Sequence, residues 1–364
     1  MTKIRYEILN SVTKIGRAEW DSVFGDIPEG YQFHKTLEES NLGQFSFCYI
    51  VIRKGSDILL IAPLFIGDIN LDILAEGFFS NLIQRIRKFL PSFFVVRTLF
   101  CGSPFGENGT IGIRADSQDK DMLIHELANG MNILSKKKNI PLIIFKDFLK
   151  RDARALKVLS KDGFFRTRSL PSVVTDIDFD SMDDYFKSLS PSRRKDLNRK
   201  LKKTYSNAHI EIKISDDVDR IIDDVYRLYV NTYLAGKIKF EKLTKDFFIH
   251  VARNMKPHVK FFLYYVNGAL GAFNLCFVHK DLFIDKFIGF NYDISYKHNL
   301  YFISWCFNVE WCIKKSIRRY QTGQTDYRAK ISLGGRRVSL YAYVKHRNFI
   351  YNPVLKLLDN LVRG

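Results

Sequence analysis

The sequence predicts a mixed α/β (α+β) protein made of two related lobes, and three observations carry that expectation. The chain has 364 residues, more than one ordinary core organises, which points to about two domains. Strand-like alternation and helix-like periodicity take turns along the whole length. The order helices, hairpin or meander, helix, strand, helix, strand then occurs twice, with a boundary at 165–171. This gives an N-terminal lobe over 1–168 and a C-terminal lobe over 169–364. No residue-level repeat accompanies the repeated order, so the duplication rests on element order alone.

In the first half, 5–9 reads as a short strand and 17–24 as a helix. Apolar and polar residues alternate over 45–53 and 57–66 around Lys54-Gly55-Ser56, a hairpin signature. A strand at 93–100 precedes a helical stretch at 120–138, whose closing lysines suit a helix C-terminus. The continuous apolar run 141–145 suits a buried strand, 152–160 a short helix, and 172–177 the next strand. In the second half, one long helical stretch at 182–203 leads to a strand at 209–214. Asp216 and Asp217 are expected to cap a helix running through Tyr233, with another at 244–255. Strands at 259–266, 269–278 and 282–290, joined by tight turns at Asn267-Gly268 and His279-Lys280, form an antiparallel meander. A helix at 299–316, a strand near 319–321, a polar loop and a strand at 338–345 complete the order.

Composition is that of a globular protein, 46% hydrophobic and 26% charged. The formal charge of +18 favours phosphates, nucleic acid, anionic lipid or an acidic protein as partners without choosing among them. Five scattered cysteines form no CxxC pair and lie at no ligand spacing from histidines, so neither a disulfide framework nor a metal site is expected. No signal-like or membrane-spanning apolar run is found, and the expected location is cytoplasmic.

Three segments could carry chemistry. At 297–299, Lys297 and His298 flank Asn299, the expected N-cap of a helix, where free N–H groups and cations suit a pyrophosphate. The loop 320–335 is dense in polar side chains between two apolar strands, where α/β folds hold ligands. Its Asp326 and Lys330, four apart, would share a helical face. The helix at 189–203 holds seven cations, Arg193, Arg194, Lys195, Arg199, Lys200, Lys202 and Lys203. That pattern suits a solvated face, a tRNA or an acidic carrier protein. The segment 78–96 mixes apolar residues with Arg85, Arg87 and Lys88, the pattern of a peripheral membrane helix or of a core-facing one.

The helix LSPSRRKDLNRKLKK, the meander GALGAFNLCFVHKDLFIDKFIGFN and the loop TGQTDYRAKISLGG together resemble the Fem-like N-acyltransferases of the GNAT superfamily. Ser192, Arg193, Arg194, Leu197 and Arg199 match the basic-helix pattern of that family, and Gly323, Lys330 and Gly334 match its glycine–lysine–glycine loop. The likeness covers about 165–347 at the level of pattern; the first half resembles the family only in element order, as a degenerate lobe would. It implies two GNAT-like lobes, each a mostly antiparallel twisted sheet flanked by helices, with catalysis in the second. The implied reaction moves an acyl group from a thioester, acyl-CoA or acyl carrier protein, to an amine or hydroxyl of a small-molecule or lipid-like acceptor. Asp285 and Asp326 are then candidate bases, and Lys330 would stabilise developing charge. Gln321, Gln324 and Tyr327 would position the acceptor, and Lys297, His298 and Asn299 would hold the donor's phosphates. The segment 296–300 lacks the glycines of the acetyl-CoA loop, which leaves a longer acyl thioester, a carrier protein or an aminoacyl-tRNA open as donor. The alternatives are a Fem-type aminoacyl-tRNA-dependent transferase and a non-catalytic basic protein binding nucleic acid or anionic membrane.

Overall fold

Apolar runs that face cover on both sides dictate two sheets in the computed structural model, which describes residues 4–70, 95–236 and 239–363. In the first half the strands are β1 (Ile4–Leu9), β2 (Ser46–Lys54), β3 (Asp57–Asn70), β4 (Val95–Cys101), β5 (Gly112–Ile113), β6 (Leu142–Leu149) and β7 (Phe165–Arg168). In the second they are β8 (Ser172–Asp176), β9 (Ile210–Ser215), β10 (Val259–Val266), β11 (Ala269–His279), β12 (Leu282–Phe290), β13 (Arg319–Gln321), β14 (Arg336–Val338) and β15 (Leu340–His346). The reading of 78–96 falls, but for its last two residues, outside the described residues.

One sheet runs β1-β2-β3-β4-β6-β15-β7, with β5 on β3, and the other runs β9-β10-β11-β12-β13-β8-β14. Pairing is antiparallel throughout except for β4 with β6 and β12 with β13. Position by position the two orders match, parallel pair included. The sixth place of the second sheet is filled by that half's own first strand, β8, whereas the sixth place of the first sheet is filled by the last strand of the chain: β15 follows β14 but joins the first sheet. The expectation that everything after 169 stays in the second lobe is therefore corrected at the C-terminus. The compact units are Met1–Glu38 with Leu42–Leu170 and Ser339–Gly364, and Pro171–Val338 with Glu39–Asn41.

In the first unit, β2 shows why a near-continuous apolar run forms a central strand. Cys48, Ile50 and Ile52 pack on one face with Leu123, Leu127 and Met131, while Tyr49 and Val51 pack on the other with Trp20 and Val12. The helix Lys120–Lys137 starts where the Asp119 side chain accepts from the Met122 amide, and ends among its lysines as expected. Residues 150–160 form two 3-10 segments, Lys150–Ala153 and Ala155–Ser160, instead of one helix. In the second unit the long stretch at 182–203 is two helices, Met182–Ser188 and Pro191–Asn207. Proline excludes the helical conformation from the residue before it, and Ser190 accordingly sits at φ −56°, ψ 149°. Asp217 does not cap the next helix directly; its carboxylate accepts from the Asp219 amide in a 3-10 turn before Ile222–Ala235.

Candidate functional site

The site grows from the one parallel pair of the second sheet. The ladder between β12 and β13 spans three positions and ends at Ile284↔Gln321, while β12 continues to Phe290 on β11. The strands part there, opening a gap at the carboxyl ends of parallel strands, where open α/β sheets accept ligands. Asp285 is the first residue past the shared ladder. Its Oδ1 accepts from Asn274 Nδ2 at 2.7 Å, and its Oδ2 from Asn308 Nδ2 at 3.3 Å and the Tyr320 hydroxyl at 3.2 Å. Asn274 and Asn308 are fully buried and Tyr320 nearly so. A carboxylate held by three donors on three elements is an anchor, tying the helix Leu300–Lys314 to the parting strands.

The loop after β13 is pinned from both ends. The Thr322 amide donates to the Val173 carbonyl at 2.9 Å, and Tyr185 donates its hydroxyl to the Leu333 carbonyl at 2.9 Å. Gly334 has φ +91°, and a Cβ on Gly335 would lie 2.6 Å from Val173 Cγ1 and 2.9 Å from the Lys330 carbonyl oxygen, so the doublet is fixed by geometry. Lys330 is 7% exposed and turns inward to donate its ammonium to the Thr322 carbonyl. Asp326, at φ +54°, stays exposed. The two side chains thus diverge rather than share the face expected of them. Gln321 is buried and donates to Ser172 Oγ at 3.1 Å. Tyr327 donates to the Pro171 carbonyl at 2.9 Å, with the Arg337 guanidinium over its ring, and Gln324 is half-buried in the bend.

Asp326 lines a cleft of about 230 Å³ whose other walls are Arg193, Asp196, Leu197 and Lys200 of the basic helix, Phe302, and Arg328, Ala329, Ser332 and Leu333. The helix presents Leu197 and Thr204 inward, and Lys200 lies over the Phe302 ring. Asp196 accepts from Arg199 and Lys200, each at 2.7 Å, and those bonds hold its carboxyl below the usual range. Part of the basic run is thus internally balanced, leaving Arg193 and Arg328 as the cleft's exposed cations.

None of Lys297, His298 and Asn299 lines this cleft. Asn299 is in the left-handed region, φ 50°, and its side chain does not cap the helix but donates to Thr204 Oγ1 at 3.1 Å. The His298 carbonyl accepts from Thr204 at 3.0 Å, and burial followed by the neighbouring Lys297 lowers the ring's pKa. Asn299 thus holds the N-cap position without a side-chain cap bond, beside the exposed Lys297.

Sequence reading missed Asn274, Asn308, Tyr320 and Tyr301. Asn308 had a signal, a lone amide inside the apolar run ISWCFNVEWC. The Tyr301 hydroxyl is buried without a well-formed hydrogen bond, its nearest candidate partner being the Asp326 carboxylate. Burial, then the carboxylates of Asp326 and Asp285, with a hydrogen-bonding contribution from Asp326, hold it well above the usual phenol range, so both carboxylates are within its electrostatic reach. All five cysteines are buried thiols, and burial pushes Cys48 and Cys306 up to about 12. Among the described residues no group of three His, Cys, Asp or Glu could hold a metal ion.

A FemAB-like profile, described as peptidoglycan biosynthesis/recognition, matches residues 11–346. The chain belongs to the FemAB-like family. The FemAB-like chain is similar in fold to FemX, with a TM-score of 0.57 at 11% identity over 97% of this chain and 100% of that one. It is similar to a tandem GNAT protein from the clavulanic acid biosynthesis pathway, with 0.57 at 9% over 95% and 99%. The L-PGS of Bacillus licheniformis gives 0.52 at 12% over 92% and 97%. In sequence, the putative 8-amino-7-oxononanoate synthase 2 of Mycobacterium tuberculosis is 24% identical over 316 residues, 85% of this chain and 41% of that protein. The chain thus spans about two fifths of the length of that curated relative. The two-lobe GNAT-type fold expected from the resemblance is the fold observed.

Proposed function

We propose that this FemAB-like chain transfers an acyl group from a thioester, borne by coenzyme A or an acyl carrier protein, to an amine or hydroxyl acceptor. The observation that supports the reading is the parting of β12 and β13 beside Asp285, with the Tyr301 phenol within electrostatic reach of both Asp285 and Asp326. In the reaction the acyl C–S bond breaks as a C–N or C–O bond forms. The acceptor's proton passes to Asp326, directly or through water, and the leaving thiolate takes up a proton from solvent. Backbone N–H groups along the parted strand would polarise the thioester carbonyl. Asp285 holds the frame, Lys330 supports the loop from beneath, and Gln321 and Tyr327 fix its approach to β8. The second lobe is the catalytic one in this reading. The name of the Mycobacterium tuberculosis relative attaches to a longer protein and brings no substrate here.

A second reading, an aminoacyl-tRNA donor, is favoured by the exposed cations Arg193, Lys195, Arg199, Lys202 and Lys203 on one helix. Thermal stabilisation against acetyl-CoA, long-chain acyl-CoAs, acylated carrier protein and bulk tRNA separates the two. A ligand at a hundredfold excess over its Kd adds about 2.7 kcal/mol. Stabilisation by a thioester, followed by transfer that falls at least about a hundredfold in Asp326→Asn at unchanged melting temperature, is the expected result. Stabilisation by tRNA alone would replace the donor, and no transfer with any donor would leave a binding protein.

A further inference from the structure

The helix Asn352–Arg363 exposes part of its apolar face. Two of its polar residues face the fold: Asn352 accepts from the His346 amide at 2.6 Å, and Asp359 accepts from the Thr167 hydroxyl at 2.6 Å. These two positions are seven apart, two turns along one face. Val354 and Leu357 lie on the opposite face and are 52% and 59% exposed. The turn that feeds the helix adds Phe349 at 77%, with Ile350 and Tyr351 also exposed. Scattered exposed apolar residues need no explanation, but five large ones exposed within nine consecutive positions do. A second, independent feature adjoins them. Arg347 donates to Asn139 at 2.6 Å, which brings it beside the exposed lysines Lys136, Lys137 and Lys138.

We propose that the face formed by Phe349, Ile350, Tyr351, Val354 and Leu357 docks on an anionic lipid surface, with Lys136–Lys138 and Arg347 on the headgroups. An apolar wedge bordered by cations is the pattern of an interfacial helix, and the two attractions add. A second copy of the chain fits less well. Five side chains of this size expose roughly 500 Å², short of the about 800 Å² per partner in a stable dimer. A formal charge of +18 on each copy opposes self-association and favours a negative surface. The proposal is independent of the acyl-transfer reading, because the face lies on the first unit and uses none of the candidate site residues.

Vesicle flotation with the full chain tests it, using phosphatidylcholine alone and phosphatidylcholine mixed with phosphatidylglycerol. The wild type is expected to float with the anionic vesicles only, and less at high salt. Phe349→Asp combined with Leu357→Asp should weaken binding at least tenfold while the melting temperature holds, since both side chains are already in solvent. Lys136→Glu with Lys137→Glu should weaken it through the headgroup contacts alone. Failure of the wild type to float, or equal flotation of the aspartate variant, overturns the proposal. A sedimenting dimer dissolved by the aspartate pair, without vesicle binding, overturns it in favour of a second copy.

Discussion

Tyr301 is the residue at which function and stability make opposite demands. Its hydroxyl is buried without a well-formed hydrogen bond, the Asp326 carboxylate being near but poorly placed, and a buried polar group left unsatisfied costs up to about 1–3 kcal/mol of desolvation. The phenol is also within electrostatic reach of the carboxylates of both Asp285 and Asp326. A hydroxyl kept unsatisfied in that place is suited to donate to the bound acyl oxygen or to orient the acceptor. Tyr301→Phe removes the hydroxyl and little else. The variant should therefore unfold at the same temperature as the wild type or a little higher, yet lose at least about tenfold in kcat with KM nearly unchanged. Unchanged kcat would assign the hydroxyl no part in transfer, while leaving the site itself standing. Lys330 contrasts with it. Its buried ammonium holds the Thr322 carbonyl, so loss of activity in a Lys330 variant would be confounded by loss of the loop.

At the scale of elements, what the sequence specified locally was legible. Asn267 and Gly268 both have positive φ, 49° and 84°, as the two-residue turn of the meander requires. The strands on either side begin and end within a residue of the expected places. What depends on distant partners was not legible. Nothing around 338–345 says which sheet the strand joins, because a β-run carries its face but not its neighbour. Asp285 could be picked out as a lone carboxylate in an apolar strand, but not its three donors, which come from three separate elements. Close approach is likewise invisible until elements are packed. The helix Ile222–Ala235 crosses β12 at Gly289, where a Cβ would lie 2.2 Å from Phe273 Cε1 and 2.8 Å from the Leu228 carbonyl carbon. The phenyl ring can turn, but helix backbone cannot retreat cheaply. Gly289→Ala should cost about 1–3 kcal/mol, read as a lower urea midpoint at unchanged slope. An unchanged midpoint would mean that the helix is not seated on the strand.

For the whole molecule the placement of β15 in the first sheet makes the two halves unequal as fragments. Residues 171–338 contain β8 through β14, every strand of the second sheet. Residues 1–170 contain β1 through β7 but lack β15, which lies between β6 and β7 and pairs with both. Without it β7 loses its sheet neighbour, and the buried Leu340 and Tyr343 leave their places. Each large apolar side chain contributes about 1.5–3 kcal/mol on burial, against a typical total stability of about 5–15 kcal/mol. Losing a strand together with such side chains exceeds what a lobe of this size can spare. The fragment 171–338 should thus unfold cooperatively by itself, whereas 1–170 should show no cooperative transition. Adding a peptide of 339–364 in trans should restore one, because it supplies the missing strand and the helix that follows. Cooperative unfolding of 1–170 without the peptide would mean that β6 and β7 close the gap directly, and that the exchanged strand adds nothing to the first sheet that its neighbours cannot replace.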